Sequence, residues 1–157
     1  MGKYIKTKIN LLNESVQKQE RNVIFVDEHG KNIVYDSNNY RIAVDDPDSA
    51  SYITLWYNKS EDKWVKVGVL DATKTYRRFK EYDGDFLSVR MIEIDKKHRG
   101  LGLSTKMYKA LIDFSGNGIL GILSYLPNRS NRKQVPNIYK KFGAITDDGD
   151  YQYIIFK

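Results

Sequence analysis

The chain has 157 residues, 41% of them hydrophobic, enough to build one domain around a core that needs no covalent staples. It has no cysteine, which excludes disulfides, zinc–thiolate sites and thiol nucleophiles. No apolar run approaches the roughly 18 residues of a membrane span, and no apolar secretory block opens the chain, so a cytoplasmic protein without membrane contact is expected.

The net charge of +6 is unevenly placed: residues 86–142 hold eleven Lys and Arg against three Asp and Glu. A basic half suits a ligand that carries several phosphates, and it suits a nucleic acid equally.

In chain order, Ile5, Ile9, Leu12 and Val16 form one apolar stripe, which predicts an amphipathic helix over 3–18 within an N-terminal segment 1–20. Residues 22–26 and 32–35 read as a hairpin around a turn at 28–31, with Gly30 free to take a positive φ. A strand at 41–44 ends in the acidic turn 45–49. Strands at 52–57 and 64–70 bracket a polar loop at 58–63. A long strand follows at 86–94, then a helix at 103–115, and then a continuous apolar strand at 119–125 of the kind buried on both faces. A short helix at 136–142 has Pro136 in its first turn and Gly143 at its end. Strands at 144–146 and 151–156 close the chain around the turn 147–150. The order predicts one α+β domain over 1–157, with a mixed, mostly antiparallel central sheet, flanking helices and a strand–helix–strand–helix core.

The most informative segment joins the strand 86–94 to the helix 103–115. A basic turn, Lys96-Lys97-His98-Arg99, runs into Gly100-Leu101-Gly102-Leu103-Ser104-Thr105. A glycine turn that opens a helix presents unpaired backbone N–H groups to an anion. Two other phosphate motifs do not fit. The Walker loop spacing is absent, and a dinucleotide fingerprint would need glycine where Thr105 stands.

What remains is Arg99-x-x-Gly102-x-Ser104, which resembles the Arg/Gln-x-x-Gly-x-Gly/Ala signature of the GCN5-related N-acetyltransferase (GNAT) superfamily. Ser104 stands where Gly or Ala is usual. Ile138-Tyr139-Lys140-Lys141-Phe142-Gly143 is similar to the family's Leu-Tyr-x-x-x-Gly-Phe ending of its last helix. The resemblance covers residues 52–157 in order. It implies a GNAT-like sheet and acetyl-CoA as co-substrate, with no metal. Backbone amides from Gly100 to Thr105, with Arg99, would cradle the pyrophosphate. The strand backbone at Ile92 and Ile94 would pair with the pantetheine amides, beside a neighbouring strand that splays away.

The implied reaction is direct attack of a primary amine on the thioester. Tyr139 occupies the family's tyrosine slot, where a phenol can return a proton to the leaving thiolate. The base is less evident. The slots that relatives fill with Glu or His hold Arg90 and Ser88 here, read instead as acceptor-side residues, with Arg90 favouring an acidic or phosphate-bearing acceptor. Glu93 is the catalytic carboxylate candidate, expected to point to the opposite face by strand alternation. Asp85 and Glu81 acting through water, or water chains alone, are the other possibilities.

The resemblance also breaks down in places. Only seven residues separate the strands at 41–44 and 52–57, too few for the two helices that usually wall the acceptor site, so a more open acceptor side is expected, or one completed by 3–18 or a second subunit. The family's Asn seven residues before the tyrosine is replaced by Arg132.

The acceptor is expected to be an amine-bearing small molecule, peptide or protein, and the protein a monomer or homodimer. Two other readings stand beside this one. One is a nucleic-acid-associated protein on the same fold, since 12 tyrosines and two tryptophans supply stacking surfaces. The other is a catalytically degenerate member that only binds coenzyme A.

Overall fold

The computed structural model describes residues 22–125, 138–146 and 150–156. The predicted helix at 3–18, Pro136 and most of the turn 147–150 lie outside these residues.

The strands are β1 (Phe25–Val26), β2 (Asn32–Asp36), β3 (Tyr40–Val44), β4 (Tyr52–Ser60), β5 (Lys63–Phe79), β6 (Tyr82–Ile94), β7 (Ile119–Tyr125), β8 (Ile145–Thr146) and β9 (Tyr151–Ile155). The helices are α1 (Leu103–Asp113) and the short α2 (Ile138–Lys141). The strands form one sheet in the order β1-β2-β3-β4-β5-β6-β7-β9-β8. All neighbours are antiparallel except β6 and β7, which are parallel and joined through the crossover helix α1.

Side chains alternate between the two faces of a strand, so adjacent buried residues on one strand mark two cores. Leu87, Ile122 and Ile154 belong to the larger core, while their neighbours Phe86, Leu123, Tyr153 and Ile155 belong to the smaller one. The larger core receives the stripe Leu103, Met107, Leu111 and Ile112 of α1, all buried as their helical spacing predicts. The strand β7 is therefore buried on both faces, as its unbroken apolar run indicates.

The predicted helix 103–115 ends two residues early, at Asp113, and two other boundaries change more. The loop at 58–63 shrinks to the two-residue turn Glu61-Asp62, because Ser60 already pairs with Lys63. The hairpin of β5 and β6 is also much longer than its apolar parts suggest, closing at Phe79↔Tyr82. Lys74, Arg77, Arg78 and Lys80 make the sequence of this arm look like loop. Its tip is held by packing: the ring of Phe79 stacks on Tyr153 of β9 at 4.1 Å between centroids, and Arg77 lies over Tyr151 at 4.3 Å.

The link from β3 to β4 is a seven-residue turn with no helix, as the spacing requires. Asp45 accepts backbone hydrogen bonds from Ser51 (3.0 Å) and Tyr52 (3.1 Å), and Asp46 accepts from Asp48 (2.9 Å). These carboxylates build the turn, and among the described residues no group of three or more His, Cys, Asp or Glu is placed to hold a metal. No helix among the described residues is long and apolar enough to cross a membrane.

Candidate active site

The strands β6 and β7 pair through Leu87↔Ile122 and Ser88↔Leu123 and then part. Beyond that point β7 continues along β9 to Tyr125↔Tyr151, whereas β6 pairs only with β5. A β-bulge sits at the parting. Asp71 faces Met91 and Ala72 faces Val89, which leaves Arg90 with no residue opposite. An extra residue in one strand bends it and increases its twist, and here it turns the end of β6 away from β7. The edge of β6 from Val89 to Ile94 thus lies open to an extended ligand, the arrangement by which a chain of amides adds itself to a sheet.

The end of β6 is anchored on both sides. The Asp95 N–H donates to the Val67 carbonyl of β5 at 2.8 Å, and the Arg99 Nε donates to the Ile94 carbonyl at 2.6 Å. Part of the Arg99 guanidinium is therefore spent on holding the turn against the strand it follows. Between these anchors lies a single 3-10 turn, Lys96–His98. Gly100 and Gly102 then take φ of +81° and +75°, a region open to glycine without strain. A Cβ added at either would meet nothing within 4 Å, so these glycines are required by backbone conformation and not by crowding.

Gly102 caps α1, whose first hydrogen bond, from Lys106 N–H to the Gly102 carbonyl, is 3.4 Å long. The amides of Leu103, Ser104 and Thr105 have no partner within the helix by its geometry. The first turn of α1 itself carries no acidic residue to oppose an anion at its positive end.

A cavity of about 570 Å³ opens on this turn. Its walls are Met91, Ile92, Glu93 and Ile94 of β6 together with His98, Arg99, Gly100, Gly102, Leu103 and Ser104. The structure thus brings together most of the residues the sequence singled out for cofactor binding. Leu101 stands away from the cavity, 58% exposed, and Thr105 lies half-buried on the helix. Glu93 is exposed at the rim, between buried Ile94 and half-buried Ile92, as strand alternation predicts.

The other predicted catalytic residue, Tyr139, and the acceptor-side residues lie elsewhere. Ser88 is half-buried at the last β6–β7 pair, and Arg90 is exposed in the bulge just beyond it. Tyr139 is 1% exposed in the larger core and is not a wall of the cavity. Its ring packs edge-on against Tyr108 of α1 at 5.5 Å. The next electrostatic neighbour of its hydroxyl is Ser124, one residue past the last β6–β7 pair. Burial, and then the Tyr108 hydroxyl, hold the Tyr139 phenol well above its ordinary value, so it keeps its proton. Neither the Tyr108 nor the Tyr139 hydroxyl makes a hydrogen bond of ordinary length.

Gly143 ends α2 in a Schellman motif. It has φ +63°, the Ala144 N–H bonds the Tyr139 carbonyl at 2.9 Å, and the Gly143 N–H bonds the Lys140 carbonyl at 3.2 Å. That stop fixes the helical turn carrying Tyr139.

One feature of the site had no signal in the sequence. The His98 Nδ1 is 2.7 Å from the Tyr40 hydroxyl, and its ring lies 4.6 Å from that of Tyr57. Residues from β3 and β4 thereby hold the turn, a contact 58 residues apart in the chain.

A parallel strand pair that parts at a bulge, followed by a glycine turn at a helix N-terminus, is the arrangement that the sequence resemblance implied. The chain belongs to the acetyltransferase (GNAT) family, whose sequence profile matches residues 15–144. Among solved structures, it is similar to a variant of the toxin AtaT bound to the C-terminus of the antitoxin AtaR (13% identity, TM-score 0.51, 66% of each chain covered). Another similar structure is NAA60 of Arabidopsis thaliana in complex with a bisubstrate analogue (9% identity, TM-score 0.49, 69% of this chain and 77% of the other covered). The chain spans just under two thirds of the toxin's length, and at 13% identity that likeness is one of fold. Comparison with curated protein sequences finds no match.

Proposed function

We propose that this protein is an N-acyltransferase that moves an acetyl group from acetyl-CoA to a primary amine by direct attack. The observation that carries the reading is the open edge of β6 leading into a cavity floored by Gly100, Gly102 and the free amides of α1. The pyrophosphate would lie on those amides, and the pantetheine along Ile92 and Ile94. The thioester would reach the parting of the strands near Ser88 and Leu123.

There the amine nitrogen bonds the thioester carbon, the oxyanion collapses and the C–S bond breaks. The thiolate takes a proton from the Tyr139 phenol, and the tyrosinate recovers one from water before the next turnover. The proton lost by the amine goes to water, or through a chain of water to Glu93, which stands five residues along β6 from Ser88. Arg90 makes no ion pair among the described residues and stands beside the parting, which supports an acceptor with an acidic or phosphate group. The acceptor is an amine-bearing small molecule, peptide or protein.

The test is thermal unfolding with acetyl-CoA, CoA and ATP, followed by an amine screen for CoA release. A ligand at 100 times its dissociation constant adds about 2.7 kcal/mol to stability. A larger rise in Tm with acetyl-CoA and with CoA than with ATP is expected, since ATP offers the phosphates without the pantetheine. No shift with either acetyl-CoA or CoA would refute the cofactor site.

A further inference from the structure

The backbone of the glycine turn supplies the proposed anion site, and one side chain is held fast beside it. His98 is a wall of the cavity beside Gly100 and Gly102. Its Nδ1 is engaged by the Tyr40 hydroxyl at 2.7 Å. Its ring is clamped against Tyr57 at 4.6 Å and against the edge of Tyr40 at 5.6 Å. Tyr40 and Tyr57 themselves pack at 5.4 Å and face each other across β3 and β4. Two aromatic rings from two separate strands thus fix one imidazole at the rim of the proposed anion site.

With Nδ1 occupied, Nε2 is the only ring nitrogen left for the cavity. A Tyr40 hydroxyl that donates to Nδ1 places the ring's own proton on Nε2 and makes that atom a donor. A protonated ring donates from Nε2 as well.

Resting on the function proposed above, we propose that His98 is a side-chain ligand of the cofactor's diphosphate, donating from Nε2, and that Tyr40 is a positioning residue that sets its tautomer and ring plane. The arrangement couples the turn to β3 and β4, which the sequence places far from it.

The test is calorimetric titration of the full chain with CoA and with ADP, which carries the diphosphate without pantetheine. The unaltered protein is compared with His98→Phe, His98→Gln and Tyr40→Phe. Phe keeps the ring contact with Tyr57 and removes the donor, so affinity for both ligands should fall about tenfold. Gln places an amide N–H near the Nε2 position and should recover most of that loss. Tyr40→Phe keeps the packing but releases Nδ1, and should cost about threefold.

Substitution should raise the KM for acetyl-CoA and leave kcat unchanged, since the diphosphate is remote from the thioester. Equal CoA binding by His98→Phe and the unaltered protein would overturn the assignment to His98 alone. So would a loss that His98→Gln does not recover and that a lower Tm accompanies, because the ring would then serve only to shape the turn. Failure of the unaltered protein to bind CoA would overturn both this assignment and the proposed function.

Discussion

At the scale of single residues, the glycine turn separates conformational demand from chemical demand. Gly102 sits at φ +75° with open space around it, so Gly102→Ala carries only the backbone penalty of about 1–2 kcal/mol. Gly102→Asp adds a carboxylate at the helix N-terminus where the diphosphate is proposed to sit. CoA titration should show measurable binding to a folded Gly102→Ala protein and none to Gly102→Asp. Retained affinity in a folded Gly102→Asp protein would move the anion site elsewhere. Tyr139 is the corresponding test of chemistry. Its hydroxyl is buried without an ordinary hydrogen bond, so Tyr139→Phe should leave the free energy of unfolding within about 1 kcal/mol of that of the unaltered protein. Turnover should fall at least tenfold while CoA affinity stays nearly intact. An unchanged kcat would reduce Tyr139 to a packing residue. Both candidates were legible in the sequence because each belongs to a short local pattern. His98 with Tyr40 was not, because nothing in either neighbourhood names the other.

At the scale of elements, the site depends on β6 leaving β7, and on β7 staying with β9. The second half rests on Gly121, where a Cβ would come within 2.2 Å of the Ile154 carbonyl oxygen on β9. Gly121→Ala must therefore push β7 and β9 apart. A loss of about 1–3 kcal/mol, or more, is expected in urea denaturation. A Tm unchanged from the parent would mean that the pair relaxes freely at this position. The strand at 119–125 and the helix starting at Leu103 stood out in the sequence through an unbroken apolar run and a clear 3–4 spacing. The outer half of the β5–β6 hairpin did not. Its charged residues hide a strand that is stabilised by Phe79 on Tyr153, a contact with the far end of the chain. The bulge at Arg90 was also invisible, because a bulge is defined by what stands on the neighbouring strand.

At the scale of the whole molecule, two cores on one sheet leave the phenols of Tyr108 and Tyr139 together inside the larger one. Burial raises both above the ordinary value of 10.0. The folded state then holds these protons more tightly than the unfolded chain does. Their contribution to stability is complete below pH 10 and is lost as pH rises above it, once the unfolded chain ionises. Urea denaturation between pH 8 and pH 11 should show stability falling in the upper part of that range, with a shallower fall in Tyr108→Phe. A slope identical in both proteins would place the alkaline loss elsewhere. The sequence by itself determined the α+β class, the order of the later strands and helices, the glycine turn and the family, because these rest on local periodicity and on contiguous motifs. Only the tertiary structure decided where β6 parts from β7, how far the β5–β6 arm extends, and which distant rings hold His98. Those features arise from pairing between segments remote in sequence, and such pairing leaves no periodic trace in either segment alone.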